Sequence, residues 1–595
     1  MTPMPPTLTP PASRPKPSTP ATDIPVDRVL KIRERVADQK TVDELTEAGF
    51  DPVLARVLAG RGIRSKAQVS ENLNELIKPD TMAGLEAAAD IIARAIEADE
   101  FICVVGDYDC DGATATAVTV LGLRLLGAQI DYLVPNRFAH GYGLSPLVID
   151  SLLSHPGKSK PRWIITVDNG ISSHEGVDSA HQHGIGVIVT DHHLPGDTLP
   201  AAEAIVNPNV PGCRFPSKNL AGVGVAFYLV AAVRAALRRL GKLADPPPKL
   251  NHLLDLVALG TVADVVRLDE NNRRLVRAGL RQMRAGKAQP GLKALMRVAG
   301  CAEQRLTVRD LGFALGPRIN AAGRLEDISV GIACLLASDE GRANELAESL
   351  DSINRERRQI ESDMREIAVN NLPAPKPSQM GIAVAHPEWH EGVIGLVAGR
   401  LREQWHRPVV AMAPSANDPK TLRGSGRSVP GVHLRDVFAL VDARAPGLIT
   451  RFGGHAMAAG LSMAAAGLPR FAQLFDAAVG ELAQSEAFER ELLVDGPLRA
   501  EQIKLSLCRT LDDQIWGQGF MAPVFCNEFE LVKQRVVGTG HLKLNLRLEG
   551  KPFSAIFFRR DKPLPPRPVL AYLVELNEYG GLLEPQLVIQ ACANG

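Results

Sequence analysis

Several things are scarce in this chain of 595 residues. Aromatic residues make up only 5% of it, so a dense stacking platform of the kind used by many single-strand binders is excluded, and contacts to any polymer must rest mainly on its backbone. Net charge is absent too: 67 Lys and Arg offset 67 Asp and Glu, so a polyanion must be held by local basic patches and not by a global field. No apolar run approaches the roughly 20 residues that span a bilayer. The eight cysteines are scattered with no C-x-x-C pair and no secretory signal, which argues against a disulfide framework and predicts reduced thiols in the cytosol.

What is present is a globular balance, 45% hydrophobic and 23% charged, in a chain too long for one domain. Residues 1–25 hold nine prolines among Ser, Thr and Ala and predict a disordered tail to about residue 27, with helical periodicity from about residue 28. Between 100 and 260 the short apolar runs FICVVGD, IDYLVP, WIITVD, GVIVTD and EAIVNP alternate with helix-length spacers. That pattern predicts βαβ units and a parallel sheet covered on both faces, an α/β fold over residues 28–335. Leu346, Leu350, Ile353, Ile360, Met364 and Ile367 recur in helical spacing, broken once by Arg357, and predict a connecting helix within 336–372. After NLPAPKPSQ, the segment GIAVAH opens a second α/β domain assigned to 373–465. A linker helix and a small all-β barrel complete the expectation for 466–595, from period-two runs such as HLKLNLRLEG.

The sharpest local signal is VVGDYDCDG, where Asp107, Asp109 and Asp111 alternate directly after an apolar strand. Residues two apart in an extended segment point the same way, and clustered carboxylates repel unless divalent cations lie between them. A solvated acidic turn is the plainer alternative for that motif alone. Three further segments add Asp168 in WIITVDNG, Asp191, His192 and His193 in GVIVTDHH, and Asp264 in ALGTVADVVRL, read as further strand ends. Ligands of open parallel sheets bind beyond the carboxyl ends of the strands, so one crevice is expected to collect them. Carboxylates with neutral imidazole favour two divalent cations, manganese preferred and magnesium able to serve, and such a pair suits in-line hydrolysis of a phosphoester without a Ser or Cys nucleophile.

With TDHH at 190–193, these motifs resemble the DHH/DHHA1 phosphoesterase superfamily, and their order resembles its branch of single-stranded-DNA-specific exonucleases. The resemblance extends through PNRFAHGYGLS, TVDNGI, GPRINAAGRL, EGVIGLVAGRL, GSGRSVPGVHL and FGGHAMAAGLS. It implies a DHH catalytic domain, a DHHA1 domain and a C-terminal OB-like barrel, in an enzyme that degrades single-stranded DNA from the 5′ end to mononucleotides during repair and recombination. It also implies metal ligation by Asp109, Asp111, Asp168, His192 and Asp264, with Asp168 bridging. Asp107 is placed in the motif, His193 at the scissile phosphate or the attacking water, and Asp191 as the carboxylate that fixes an imidazole.

For substrate, Ser425 and Arg427 in GSGRS are candidates for the 5′ phosphate, within a run from Arg400 to Arg435 holding seven Lys or Arg and two acids. Arg318, Asn320 and Arg324 are a second set, whose alternative role is ion pairing at a domain interface. Gly454 and His455 are expected at the substrate, as are Asn136, Arg137 and Tyr142. Lys543, Arg547 and Lys551 are expected along the barrel edge. The resemblance further suggests a single-strand-binding protein and a helicase as partners of a monomer. A small-substrate phosphodiesterase, acting on oligonucleotides or cyclic dinucleotides, and a non-catalytic replication scaffold are the competing readings.

Overall fold

The computed structural model describes residues 31–135, 143–154, 159–371, 375–376, 378–416, 418–538, 540–579 and 582–593. The expected tail lies outside them. At the start of the described chain stands a strand and not a helix: Lys31–Glu34 pairs in parallel with Glu491–Val494.

The first domain is built on a five-stranded parallel sheet in the order Ile130–Leu133, Ile102–Gly106, Trp163–Val167, Gly186–Thr190, Ala204–Val206. The apolar runs are continuous because both faces are covered. Val104, Ile165 and Ile188 pack toward the helices Cys110–Leu125 and Gly222–Arg239. Their neighbours Cys103, Ile164 and Val187 pack toward Pro146–Ser154 and His174–Gln182 on the other side. Register sets Gly106 beside Val167 and Val167 beside Thr190, so Asp107, Asp168 and Asp191 leave the sheet side by side.

Asp264 departs from the expectation of a strand end. It caps the helix Leu254–Ala263, which is buried nearly all round, and a short apolar run of that kind cannot be told from a core strand by periodicity.

The connecting helix runs from Glu340 to Asn371 and belongs to two cores. Leu346, Leu350 and Ile353 are buried with the catalytic domain, whereas Met364 and Ala368 are buried with the second. The changeover falls at Arg357, which is itself buried and held by Asn354 and by Glu361 at 2.7 Å.

A mixed five-stranded sheet forms the second domain, ordered Ile449–Gly454, Ala458–Ala464, Asp418–Arg427, Val409–Ser415, Ile382–Ala385. Phe438 from Leu434–Arg444 and Phe471 and Phe475 from Leu468–Leu482 fill one face. The helix Leu468–Leu482 is therefore part of this domain and not a linker, which corrects the boundary at 465.

The third unit is a six-stranded OB-like sheet, ordered Phe525–Glu528, Val569–Tyr579, Leu582–Cys592, Lys551–Phe557, His541–Leu548, Glu530–Val537. Leu542, Leu544 and Leu546 alternate inward as the period-two pattern predicts, but a helix, Leu505–Asp512, also packs here, so the unit is not all-β. Its core is continuous with that of the catalytic domain. The Arg61 and Asp495 side chains, 3% and 2% exposed, lock that junction with a second contact at 3.0 Å. No helix among the described residues is long and apolar enough to cross a membrane.

Candidate metal centre

Two members of the acidic motif have distinct local anchors. Asp109 is the N-cap of Cys110–Leu125 and accepts from the amides of Asp111 at 2.9 Å and Gly112 at 3.1 Å. Asp111 accepts from the amides of Gly222 at 2.6 Å and Val223 at 2.9 Å, so its charge sits at the positive end of the helix Gly222–Arg239. Glycine is required at 222 by proximity, since a Cβ there would lie 2.6–2.8 Å from Cβ, Oδ1 and Cγ of Asp168. Asp168 itself adopts φ +60, a conformation Asp tolerates better than most residues, which turns its carboxylate into the crevice.

His192 draws these groups together. Its Nε2 lies 3.0 Å from Asp168 Oδ1, 3.6 Å from Asp264 Oδ2 and 3.8 Å from Asp111 Oδ2. The Leu220 carbonyl holds the ring. Asp191 takes no place in that ring of atoms. Its Oδ1 accepts from the amides of His192 and His193 and lies 2.7 Å from His193 Nδ1, while Oδ2 accepts from the Ile171 amide. One carboxylate thus fixes the whole DHH turn and leaves the other His193 nitrogen, Nε2, directed away from it.

Four side-chain atoms in this crevice are buried without a hydrogen-bond partner: Asp107 Oδ1, Asp168 Oδ1, His192 Nε2 and Asp264 Oδ2. Unpaired buried groups of this kind are costly, and four together on oxygen and imidazole nitrogen match the donor set of hard divalent cations. Three overlapping sets bring ligand atoms within 4.8 Å: Asp107, Asp109 and Asp168; Asp111, His192 and Asp264; Asp168, His192 and His193. Asp168 and His192 each occur in two, so the arrangement has room for two ions.

Burial, followed by the neighbouring carboxylates, pushes Asp107, Asp168 and Asp264 well above the usual carboxylate range. The same causes bring Asp111 to about 7. Burial lowers His192 to about 4, which keeps it neutral and able to ligate. Burial also opposes charge on His193, but the Asp191 hydrogen bond and the surrounding acids outweigh it and raise His193 to about 9.

Some supports were not singled out in the sequence. Asn207 donates to the His193 carbonyl at 2.9 Å and Asn209 to that of His192 at 2.6 Å. Both follow the last strand of the sheet, the same signal that marked the aspartates. Asn169 ties two strand ends through the carbonyls of Val105 and Val167.

The basic residues are dispersed. Asn320 accepts from the Cys110 amide at 2.7 Å, joining its helix Gly316–Leu325 to the acidic motif, and Arg324 reaches the Gly392 carbonyl of the second domain. Arg318 is buried and donates to Asp351 and to the carbonyls of Ala314 and Val298, so it braces the connecting helix and is removed from the substrate set. Arg427 and Ser425 lie side by side, 3.1 Å apart, on Asp418–Arg427. A Cβ at Gly395 would meet both within 2.9–3.0 Å. Arg427 borders an interdomain cavity of about 600 Å³ that Asn320 and Arg324 also line.

The run from Arg400 to Arg435 is not one face. Arg407 is buried, donates to the carbonyls of Gln379 and His406 and lies over Phe488, and Arg400 pairs with Glu361 at 3.2 Å. His455 follows Gly454, at φ +129, and lies near enough to His193 for that charge to add to the effect of burial in lowering its pKa. Arg547 pairs with Glu530 at 3.0 Å, Lys551 is exposed, and Lys543 stands directly opposite Arg535. Asn136, Arg137 and Tyr142 lie outside the described residues.

The parallel sheet with this acidic and histidine centre at its carboxyl edge defines a metal-dependent phosphoesterase. The family described as "DHH family, N-terminal domain" matches residues 101–261, the DHHA1 domain matches 378–481 and the RecJ OB domain matches 494–591. The chain is 47% identical over 576 residues to the single-stranded-DNA-specific exonuclease RecJ of Escherichia coli strain K12, covering 94% of this chain and 98% of the relative. It is 33% identical to the Bacillus subtilis strain 168 protein of the same description, covering 93% and 70%. The crystal structure of RecJ in complex with Mn2+ from Thermus thermophilus matches with a TM-score of 0.80 at 29% identity, covering 95% of this chain and 80% of that one. Its Mg2+ complex matches with a TM-score of 0.75 at 28% identity, covering 95% and 78%. The chain belongs to the RecJ family.

Proposed function

We infer that this chain is a metal-dependent exonuclease that degrades single-stranded DNA from its 5′ end to mononucleotides. The observation that carries the reading is the set of four unpartnered, buried ligand atoms converging where the catalytic domain meets the second domain. Asp107, Asp109, Asp111, Asp168, His192 and Asp264 would hold the cations, with Asp168 shared. Bound there, manganese or magnesium would supply Lewis-acid stabilisation of the phosphoryl oxygens and activation of water.

The chain's own residues supply position and charge. Arg427 and Ser425, with Arg324 across the cavity, hold the terminal phosphate. His193, kept protonated by Asp191, faces the scissile phosphate and offsets the negative charge that builds on it. Asp191 positions both histidines by accepting three hydrogen bonds from them, and a fourth from the Ile171 amide holds the carboxylate in place. Water adds to phosphorus and the bond to the 3′ oxygen of the departing nucleotide breaks. The remaining strand keeps the phosphate at its new 5′ end, so each cycle regenerates the end the site recognises.

Arg535 and Lys543, opposed across neighbouring strands, are costly as a like-charge pair and suit a polyanion on the third unit. We place the protein in the cytoplasm as a monomer, with a single-strand-binding protein and a helicase as partners, on the strength of its eight cysteines, none of them in a disulfide, and of the family. The small-substrate and scaffold readings are not favoured: the full ligand set is present, and the third unit shares the catalytic core. End-labelled strands incubated with manganese or with chelator test the reading. Mononucleotides released from the 5′ label only when the cation is present, and lost in Asp168→Ala, are the expected result; release from the 3′ label, or unchanged activity in Asp168→Ala, would overturn it.

A further inference from the structure

Beyond the metal centre, a second cavity of about 1360 Å³ separates the catalytic domain from the third unit. Val265, the residue directly after Asp264, lines it. Phe313 and Arg559 line both this cavity and the smaller basic one that holds Arg324 and Arg427, so they mark the place where the two run together. A strand whose first phosphate is held at Arg427 therefore passes Phe313 on its way outward.

The backbone at Phe313 is unusual, for a reason visible in the sequence. Leu311–Leu315 is a single π-helical turn with Leu311 and Leu315 fully buried. Pro317 follows in the helix Gly316–Leu325. Proline has no amide to give the Phe313 carbonyl four residues earlier, and a widened turn accommodates the missing bond. Such turns concentrate at functional sites. Here the result is an aromatic ring 75% exposed, in a chain with few aromatics and on a helix tied to the acidic motif by Asn320. A singly exposed apolar residue is ordinary in itself; what distinguishes Phe313 is its position where the two cavities meet.

The facing wall is also shaped. Phe558 is 48% exposed and packs edge-on against His541, with centroids 5.3 Å apart. Arg559 adopts φ +55 and its amide donates to His541 Nδ1, a strained turn that presents the arginine to the cavity. An aromatic face on one wall and an aromatic and a cation on the other suit a base and its phosphate.

We propose that Phe313 stacks a base of the single strand downstream of the scissile nucleotide, and thereby sets affinity for the strand without touching the reacting atoms. Seven residues of helix separate it from Asn320, about 10 Å along the axis, which places the stack beyond the first nucleotide. The inference rests on the single-strand reading above.

The test uses full-length protein, manganese and a strand carrying one abasic residue moved stepwise from the 5′ end. In the unaltered protein, KM rises roughly tenfold when the gap reaches one interior position, with kcat unchanged. Phe313→Ala shows a KM raised by about the same factor on the intact strand and is indifferent to the gap. Phe313→Trp restores both the low KM and the position-dependent penalty. Equal abasic penalties in Phe313→Ala and the unaltered protein, or an unchanged KM on the intact strand, would overturn the proposal. So would a flat abasic profile in the unaltered protein, which needs no variant to fold. Failure of the unaltered protein to degrade the intact strand would instead remove the exonuclease reading itself.

Discussion

Removing divalent cations from this protein and raising the pH expose the same strain. Asp111 has its folded pKa raised to about 7, against 3.8 for an unperturbed group, because burial and then Asp109 oppose its charge. The folded state therefore holds a proton that the unfolded chain has released, and stability falls as pH rises from about 4 through 7. A difference of about three units corresponds to roughly 4 kcal/mol from this one residue. Asp107, Asp168 and Asp264, also raised, act in the same direction. His193, raised to about 9, contributes stability that is complete below its unfolded value of 6.5 and is lost as pH climbs through 9. His192 has the opposite sign, being lowered to about 4, but its contribution changes only below 6.5. The clean window is thus from about pH 6.5 to 9.

Thermal unfolding of the chelated protein is expected to show a transition that falls steadily across that window. Manganese at a hundred times its dissociation constant adds about 2.7 kcal/mol and flattens the slope, because the cation replaces the protons that hold the carboxylates together. Calorimetric titration in two buffers of different ionisation enthalpy should detect at least one proton released per binding event near pH 6. Chelated protein with a flat profile, or cation binding that releases no protons, would refute the reasoning.

Three other perturbations follow from the geometry. Asp495→Ala leaves the buried Arg61 guanidinium without its carboxylate and should cost about 3 kcal/mol in chemical denaturation, destabilising the third unit together with the catalytic core; independent unfolding of the two would contradict the continuous core. Gly323→Ala would set a methyl 1.9 Å from the Tyr108 carbonyl, so displacement of the helix carrying Asn320 and Arg324 should cost about 1–3 kcal/mol in stability and lower kcat/KM, whereas an unchanged kcat/KM would separate that helix from the site. Arg427→Ala should reduce the salt slope of single-strand affinity by about 0.7, the value of one phosphate contact, and an unaltered slope removes Arg427 from the phosphate site.

The shared core also bears on how the third unit can be studied. Leu498, Leu507 and Phe525 are buried with the catalytic helices, so deletion from 495 onward would strip apolar cover from the first domain, and a loss of activity would then report folding and not strand affinity. Point changes at the cavity avoid that ambiguity.

Asp107, Asp168 and Asp191 were legible as a group because parallel strands covered on both faces are continuously apolar, and register then delivers the next residue of each strand to one edge. The DHH turn was legible as chemistry for the same reason. Two features were not. Asp264 was singled out as a ligand, but the element that delivers it is the end of a helix buried nearly all round, whose apolar run carries no periodicity to distinguish it from a strand. Arg318 and Arg324, six residues apart on one helix, have similar sequence surroundings, yet one faces the connecting helix and the other the second domain.

The sequence alone thus determined the strands of the parallel sheet, their acidic edge and the donor types that suit divalent cations, since each follows from local periodicity and side-chain chemistry. Only the tertiary structure decided which charges are spent on bracing, which stay directed at the crevice, and that a π-turn exposes Phe313 between two cavities. Hydrogen-bond partners and burial are properties of segments far apart in the chain, and packing alone brings them within about 3 Å of each other.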